Sequence, residues 1–589
     1  MKKSFKKHFS LVAATLTLGS TFVVPLAPVV SAQEVKLETT VDDQEAQAIE
    51  GGTLKVAQVG SPFEGILNSL VYSGNPDNQI ISLFNEGLFG YDADFVIDDT
   101  GFGKLTLDKE NKQATITIPE GHKWDDGEPI TIDDVIFPYY VVGHKDYTGV
   151  RYGDDFKNIV GMEEYHEGKA DTISGLERVD DYTLRVTYKN FPSSMPLVSG
   201  GVSNYIEPEH VFKDIEVKDF DSSEPVRKKP VGFGPFKVES VTPGEAVTFV
   251  ANEHHWRGKP KVDALVLEVL APETAPEEMK AGKYDIALTF PTDTYDTYKD
   301  ATNFKPLGRL QNAVSYVGFK LGKWNEEKGE VEMDDTKVLS NKALRQAMAY
   351  AANNAAVGEK FYHGLRTAAN SLITPNFTEV YNSELEGYSY DPEKAKALLE
   401  EAGFKDGDND GFVEAPDGKP FTLKLASMSG GEIAEPLAQF YLESWKAVGI
   451  NVELTDGRLL EFNAFYDRVE KDDPEIDVYI GAWGLGGDPA PNGLYARDAK
   501  FNYTRFATPE HDALLEKFTS DESFDPEFRK QAFAEWQRYM HEEVPAFPTL
   551  YRYGVTAVNN RVNKFSIDPN SPFEFWHTVE LTADAPIAE

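Results

Sequence analysis

The chain has 589 residues, of which 98 are Asp or Glu and 58 are Lys or Arg, and its formal charge at pH 7 is −40. A surface this acidic repels nucleic acid and anionic lipid, so neither is expected as a partner. The sequence contains no cysteine, which excludes disulfide bonds, thiolate metal sites, a cysteine nucleophile and lipid attachment at a cysteine. We therefore expect a protein without a lipid anchor.

The first 32 residues have the pattern of a secretory signal peptide. Four of the first seven residues are lysine, residues 11–24 are mainly apolar, and residues 30–32 (VSA) suit a signal peptidase cut before Gln33. The apolar core is shorter than the roughly 20 residues that span a bilayer, which disfavours a membrane anchor. We expect a secreted protein at the extracellular face of the cell envelope, or in the periplasm if an outer membrane is present.

Residues 33–50 carry six acids, one lysine and no aromatic residue. This composition is typical of segments that cannot bury enough apolar surface to fold. We predict a disordered acidic tether over 33–50 and the start of the fold at Gly51.

Strand and helix patterns mix along the rest of the chain without a fixed repeat. The strand patterns lie at residues 54–59, 115–118, 184–188 and 264–269. Helical spacing of apolar residues occurs over 343–361, 392–402 and 526–543. The last two begin with an Asp-Pro pair, which caps a helix and fills its first position. The mixture predicts an α/β fold, and the length suggests several domains.

No catalytic motif stands out. The sequence lacks a G-x-S-x-G nucleophile turn, an H-E-x-x-H pair and a G-x-x-x-x-G-K-[ST] phosphate loop. We therefore name no catalytic residue and expect a binding protein rather than an enzyme. A secreted hydrolase that uses scattered carboxylates stays open, because acidic pairs are too common here to single out a catalytic dyad.

One segment has the pattern of a calcium-binding loop. Residues 406–417 (DGDNDGFVEAPD) match D-x-[DN]-x-[DN]-G, which places carboxylates and a turn glycine at the spacing that Ca²⁺ requires. The last position of such loops is usually a bidentate glutamate, and this chain has an aspartate there. A plain Asp/Gly turn is the equally weighted alternative. We predict a structural Ca²⁺ held by Asp406, Asp408, Asp410, Phe412, Glu414 and Asp417.

Four further segments form an ordered set. They are residues 118–137 (IPEGHKWDDGEPITIDDVIF), 231–236 (VGFGPF) with 252–263 (NEHHWRGKPKVD), 339–351 (LSNKALRQAMAYA) and 391–404 (DPEKAKALLEEAGF). In this order they resemble the signature segments of the family 5 extracellular solute-binding proteins, the oligopeptide- and dipeptide-binding subunits of ABC importers. Such motifs identify a scaffold and leave the ligand undecided.

The resemblance implies a two-lobed, periplasmic-binding-protein-like α/β fold with an extra subdomain, mixed sheets with flanking helices and a hinge of two strands. Lobe I would comprise residues 51–90, 226–310 and 551–589. The extra subdomain would be 91–225, and lobe II would be 311–550. Ligand binding would close the lobes about the hinge.

The resemblance also points to two ligand-contacting segments. The first, just after the first predicted strand, consists of Gly60, Ser61, Pro62 and Phe63. The second, residues 481–489 (GAWGLGGDP), is similar to a W-x-A-D-Y segment whose aspartate accepts a peptide's α-ammonium, although a glycine stands in the aspartate's place. We predict contacts from Ala482, Trp483, Gly484, Leu485, Gly486 and Asp488. A mobile loop at the rim of the cleft is the alternative.

Together these patterns predict the substrate-binding component of an ABC peptide importer. It would capture oligopeptides between its lobes and deliver them to the permease subunits. We expect a monomer that needs no cofactor apart from Ca²⁺. Because relatives on this scaffold also bind metal chelates, haem or oligosaccharides, a non-peptide ligand stays open.

Overall fold

The computed structural model describes residues 37–92, 94–569, 571–572 and 575–589. The predicted signal peptide, residues 1–32, lies outside the described residues. Among the residues described, no helix combines the length and the apolar character needed to cross a membrane.

The first part of lobe I, with the segment before it, contains β1 (Thr40–Val41), β2 (Thr53–Val59), α1 (Asn75–Phe84) and β3 (Gly90–Tyr91). The extra subdomain contains β4 (Ile97–Asp98), β5 (Lys104–Asp108), β6 (Gln113–Thr117), α2 (Ile132–Val142), α3 (Asp154–Lys157), α4 (Met162–His166), β7 (Leu176–Asp180), β8 (Thr183–Thr187), α5 (Glu209–Phe212) and α6 (Glu224–Arg227). Lobe I resumes with β9 (Phe236–Thr242), β10 (Ala246–Ala251), β11 (Ala264–Leu270), α7 (Ala275–Lys280), β12 (Ile286–Phe290) and β13 (Phe304–Phe319). All four predicted strands overlap observed ones, namely β2, β6, β8 and β11.

Lobe II contains β14 (Gly322–Asn325), β15 (Glu330–Met333), α8 (Lys342–Ala351), α9 (Asn354–Tyr362), β16 (Arg366–Ala368), α10 (Pro392–Glu401), β17 (Leu423–Ala426), α11 (Ala434–Lys446), β18 (Val452–Leu454), α12 (Phe462–Glu470), β19 (Val478–Gly484), α13 (Asn492–Tyr495), α14 (Pro509–Thr519), α15 (Pro526–Glu543) and β20 (Ala546–Asn559). The chain ends in lobe I with β21 (Val562–Asn563), β22 (Phe565–Ser566) and β23 (Glu580–Leu581).

The helices differ from prediction at one place. The single helix expected over 343–361 is two helices, α8 and α9, because Asn353 leaves helical geometry and its side chain caps α9 by accepting from Ala356 N. The helices expected after the two Asp-Pro pairs are α10 and α15. Asp391 and Asp525 cap them, each accepting a backbone hydrogen bond over 2.9 Å.

The largest sheet runs through both lobes and has eleven strands. Its order is β18-β17-β19-β13-β20-β12-β2-β11-β10-β9, and β16 pairs separately with β20. The long strands β13 and β20 lie antiparallel at its centre, with the lobe II strands on one side and the lobe I strands on the other. This arrangement confirms the predicted two-lobed α/β fold with a two-strand hinge.

The pairing of β13 with β20 changes register between the lobes. Leu310 pairs with Tyr553 and Val314 with Tyr551, so residues 311–313 of β13 lie opposite Arg552 alone. An irregularity of this kind bends and twists a strand pair. It interrupts the regular pairing of the sheet at the hinge, where the lobes meet. The residue numbers at which each lobe begins and ends stay predictions.

Two of the family-like segments meet at the edge of the extra subdomain and serve the fold. Asp125 N donates to Gly232 O over 2.9 Å, and Gly232 N donates to the Asp125 carboxylate over 3.1 Å. A Cβ atom at Gly232 would stand 2.0 Å from the carbonyl oxygen of Phe84, so glycine is required there. Burial raises the pKa of the Asp125 carboxyl to about 7.

The prediction of a disordered tether is wrong for residues 37–50, which pack on lobe I. β1 pairs antiparallel with β22, where Thr40 lies opposite Ser566, and Ile49 N donates to Leu581 O over 2.8 Å. The side chain of Ile49 packs against the lobe I core. The acidic composition hid these contacts because the pairing strand is remote: Thr40 and Ser566 are 526 positions apart.

Candidate functional site

The cleft between the lobes is closed by polar contacts between lobe II and the extra subdomain. Asp521 of lobe II pairs with Lys112 Nζ at 2.7 Å and accepts a hydrogen bond from Phe191 N over 2.6 Å. The Asn492 side chain donates to the Asp154 carboxylate over 2.7 Å. Because these partners come from opposite sides of the cleft, the structure represents a closed arrangement of the lobes.

The predicted segment after the first strand forms the lobe I side of the cleft. Gly60 has a φ of +136°, which favours glycine, and its N–H donates to Leu270 O over 3.0 Å. Pro62 is exposed, and its carbonyl accepts a hydrogen bond from Asn463 of α12 over 3.4 Å. The Phe63 ring is buried in the lobe I core. Ser61, next to Gly60, is half-buried, so any ligand contact here comes from the backbone or from residues before Phe63.

Trp483 lies at the end of β19 in a group of aromatic rings. Its ring stacks on Tyr316 and Tyr503, with centroids 6.2 and 5.3 Å away, and meets the edge of Phe501 at 5.1 Å. Edge and offset contacts of this kind fix the orientation of a ring. The Trp483 ring is therefore held rigidly at the end of β19, and its contact with a ligand stays a prediction.

The residue before Trp483 connects this strand end to helix α12. The Tyr466 hydroxyl of α12 donates to Ala482 O over 3.3 Å. Ala482 and Trp483 are both half-buried. The strand end and the helix thus hold each other in place on the lobe II side of the cleft.

The glycine-rich loop after Trp483 is anchored to the hinge. Leu485 N donates to Asn312 O over 2.7 Å, and the Asn312 side chain donates to Gly486 O over 3.3 Å. Asn312 belongs to the β13 segment in which the register changes. Gly484 and Gly486 are exposed, and no atom lies within 4 Å of a Cβ position at Gly484. These two glycines therefore leave backbone accessible at the cleft.

Gly487 is the point at which the loop touches the extra subdomain. A Cβ atom there would stand 2.6 Å from Val198 and 2.9 Å from Phe95. Real side chains cannot approach so closely, so glycine allows the lobes to come together at this position. The loop therefore serves closure as well as the cleft wall.

Asp488 already has a cationic partner within lobe II. Its carboxylate lies 3.7 Å from the Arg529 guanidinium of α15 and accepts a hydrogen bond from Ala490 N over 3.0 Å. Burial raises the pKa of this carboxyl. Asp488 thus faces α15, and the structure brings it to Arg529 rather than to the open surface beside Gly484.

Two arginines at the hinge form no ion pair among the described residues. Arg366 of β16 and Arg552 of β20 are directly opposed in the antiparallel pair. The Arg366 guanidinium lies 3.8 Å from the centre of the Tyr362 ring. The Nε atoms of both arginines are buried without a hydrogen-bond partner. Burial, and secondarily the charge of Arg366, lowers the pKa of Arg552 to about 10.

Sequence reasoning missed both arginines. Arg366 follows a helix and Arg552 stands inside a hinge strand, and neither position belongs to a recognisable motif. The only signal was that Arg552 is a cation in the largely apolar strand β20, and such a residue is too common to select a site.

The acidic loop, residues 406–417, connects α10 to β17 in lobe II and brings three of its carboxylates together. Oxygen atoms of Asp406, Asp408 and Glu414 all lie within 4.8 Å of one another. Asp410 accepts from the backbone N–H of Phe412 over 2.8 Å. The remaining predicted ligand, Asp417, pairs with Lys419 Nζ at 2.6 Å. Asp406, Asp408 and Glu414 can therefore offer hard oxygen atoms to one cation. Asp417 instead forms an ion pair with Lys419.

A sequence model of the bacterial extracellular solute-binding proteins of family 5 matches residues 103–520 of the chain. The oligopeptide-binding protein OppA of Lactococcus lactis subsp. cremoris (strain SK11) is 34% identical over 506 residues, which cover 85% of this chain and 84% of that protein. The oligopeptide-binding protein AppA of Bacillus subtilis (strain 168) is 25% identical over 519 residues, 86% of each chain. The structure of lactococcal OppA complexed with an endogenous peptide in the closed conformation has 33% identity and a TM-score of 0.87, and the match covers 90% of this chain and 100% of that one.

Proposed function

The chain belongs to the bacterial extracellular solute-binding proteins of family 5, and on that premise we propose that it captures oligopeptides for an ABC importer. The observation that carries the proposal is the match to OppA, which extends over most of both chains and is accompanied by the same closed fold. Capture consists of peptide entry between the lobes, followed by closure about the β13/β20 hinge.

The contacts across the cleft explain how capture is reversible. The polar contacts of Asp521 and Asn492 with the extra subdomain are partly exposed, so each of them contributes little free energy to closure. A bound peptide adds contacts to both lobes at once and shifts the population towards the closed form. We propose that the exposed backbone at Gly484 and Gly486, beside the Trp483 ring, pairs with the extended peptide, as in strand addition.

We propose that the protein breaks no bond in its ligand and delivers it unchanged. The closed form would be the one that the permease subunits recognise, acting outside the cytoplasmic membrane. A single copy of the chain contains both walls of the cleft and the hinge, which fits a protein that works as a monomer.

The calcium site is a separate proposal. The grouping of Asp406, Asp408 and Glu414 supports a structural Ca²⁺, because this ion prefers several carboxylate and carbonyl oxygens around a tight turn. Asp417 would have to leave Lys419 to join them. The ion would stabilise the connection between α10 and β17 and take no part in ligand capture.

Native mass spectrometry of the purified protein tests the peptide assignment. We expect bound oligopeptides that are released on denaturation. An oligosaccharide or a metal chelate in their place would contradict peptide capture while leaving the scaffold intact. Incubation with mixed peptides and oligosaccharides tests the absence of catalysis, and turnover of either would refute it.

A further inference from the structure

The described arginines differ in whether their buried nitrogen atoms are paired. Arg345, Arg505 and Arg561 are at most 3% exposed, and each donates several hydrogen bonds to carbonyl or carboxylate oxygens. Arg366 and Arg552, by contrast, are half-buried as residues, and their buried Nε atoms donate to no acceptor among the described residues. Because buried donors are normally paired, this exception calls for an acceptor that the protein does not supply.

The position of these two arginines makes the missing acceptor an anion. They are direct cross-strand partners in the β16/β20 pair, so their side chains leave the sheet on the same face about 5 Å apart. Like charges at this spacing repel each other. Uncharged neighbours of the pair include the Tyr362 ring of α9, which Arg366 overlies, and the Tyr466 side chain of α12 near Arg552. The charge of Arg366 reaches the Asp293 carboxyl and lowers its pKa against the larger effect of burial, but the two residues form no ion pair among the described residues.

The arginine pair adjoins the cleft wall described above. Arg552 lies close enough to Tyr466 for its charge to lower the pKa of that phenol against the larger effect of burial, and the Tyr466 hydroxyl donates to Ala482 O next to Trp483. Arg552 also lies opposite the β13 segment whose Asn312 holds the glycine loop. Tyr466 and the irregular segment of β13 therefore connect the arginine pair to the strand end and the glycine loop.

We propose that Arg366 and Arg552 form a subsite for a carboxylate of the bound ligand. The inference deepens the proposed peptide capture and rests on it. A guanidinium group presents a planar fork of N–H donors that matches the two oxygens of a carboxylate. An oligopeptide carries this group at its C terminus and on Asp and Glu side chains. A carboxylate between the arginines would remove their mutual repulsion and pair the buried Nε donors.

Three pools of synthetic oligopeptides, matched in sequence, test the subsite on the wild-type protein. The first pool lacks Asp and Glu and has free C termini, the second is its C-terminal amide, and the third is the amide with one Gln replaced by Glu. Competition binding should place the second pool about tenfold or more below at least one of the others, since it loses a charge-assisted pair. A preference for the first pool assigns the subsite to the C-terminal carboxylate, and a preference for the third assigns it to an acidic side chain.

Two failures are distinguishable. Equal binding of all three pools would overturn the carboxylate subsite and leave peptide capture standing. Binding of none of them would overturn peptide capture itself, and the subsite with it.

Variants connect the preference to the two residues. Arg366→Gln and Arg552→Gln should each bind the amide pool as the wild type does and lose the preference for carboxylate. Arg185→Gln, on the exposed sheet of the extra subdomain, is the matched control and should keep it. The ligand-free Gln variants should melt at or above the wild-type temperature because the repulsion is relieved. Retention of the preference, or a clear drop in melting temperature that shows a structural role, would overturn the assignment.

Discussion

Replacing Asp521 should weaken ligand binding although this residue belongs to neither predicted ligand segment. Its carboxylate pairs with Lys112 and accepts from Phe191 N, and both partners belong to the extra subdomain. The pair is part-exposed, with side-chain exposures of 46% for Asp521 and 35% for Lys112, so the ion pair contributes at most about 1 kcal/mol. Loss of the backbone hydrogen bond adds about 1 kcal/mol.

The expected total of about 1–2 kcal/mol corresponds to a 5- to 30-fold weaker affinity, because 1.4 kcal/mol is tenfold. The binding free energy falls by this full amount only under two conditions: the contacts exist in the closed form alone, and binding requires closure. Isothermal titration calorimetry of Asp521→Ala, with a peptide recovered from the wild-type protein, measures the change. Stopped-flow displacement should show that it lies mainly in the dissociation rate.

Two companion variants make the result interpretable. Asp521→Asn keeps an acceptor for Phe191 N and should lose only the contribution of the ion pair with Lys112, which salt screens. Asp335→Ala removes an exposed lobe II acid whose carboxylate has no partner among the described residues, and it should bind as the wild type does. An Asp521→Ala protein that is folded and binds within twofold of wild type would refute the role of these contacts in closure.

Three further results are expected. Burial raises the pKa of Glu207 to about 8 in the folded protein. The folded state therefore holds a proton that the unfolded chain releases above about pH 4.3, and stability should fall as pH rises from about 5 to 8. Glu207→Gln should make the fall in melting temperature over this window shallower without removing it, because burial also raises the pKa of Asp125 to about 7; an unchanged slope would contradict the assignment. Addition of EDTA should lower the melting temperature, and added Ca²⁺ should restore it. A free Ca²⁺ concentration of 100 times Kd would add up to about 3 kcal/mol to the free energy of unfolding. Asp408→Asn should abolish the response, and a wild-type protein that does not respond would contradict the calcium site. Asp285→Asn should cost about 3–5 kcal/mol in urea unfolding, because it leaves the guanidinium of Arg561, which is 1% exposed, without its charge partner. A loss below 1 kcal/mol would show that this pair does not hold the C-terminal segment to lobe I.

Local patterns predicted the parts of the fold that depend on neighbouring residues. The helix after Asp391 starts where an Asp-Pro pair places a cap and a first helical residue, and the strand at 54–59 alternates as half-buried strands do. The one helix that was misjudged, over 343–361, is broken by an asparagine whose capping role depends on the turn that it enters. Capping and alternation operate over a few residues, so the sequence displays them directly.

The candidate site was only partly accessible to such reasoning. The resemblance selected Trp483 and the glycine loop, and the structure places them beside the hinge. The structure also shows that Asp488 faces Arg529. Nothing in the sequence marked the pairing of Arg366 with Arg552, which are 186 positions apart and are opposed only because β16 joins β20.

The sequence alone therefore determined the family, the α/β scaffold and the absence of disulfide bonds, because these follow from composition and from motifs that are contiguous in the chain. The tertiary structure decided which charges are paired and which, such as those of Arg366 and Arg552, form no ion pair among the described residues. It decided too that residues 37–50 are held by β22. The physical reason is the same in each case: an ion pair or a strand register depends on distances between residues remote in sequence, and only the folded chain fixes those distances.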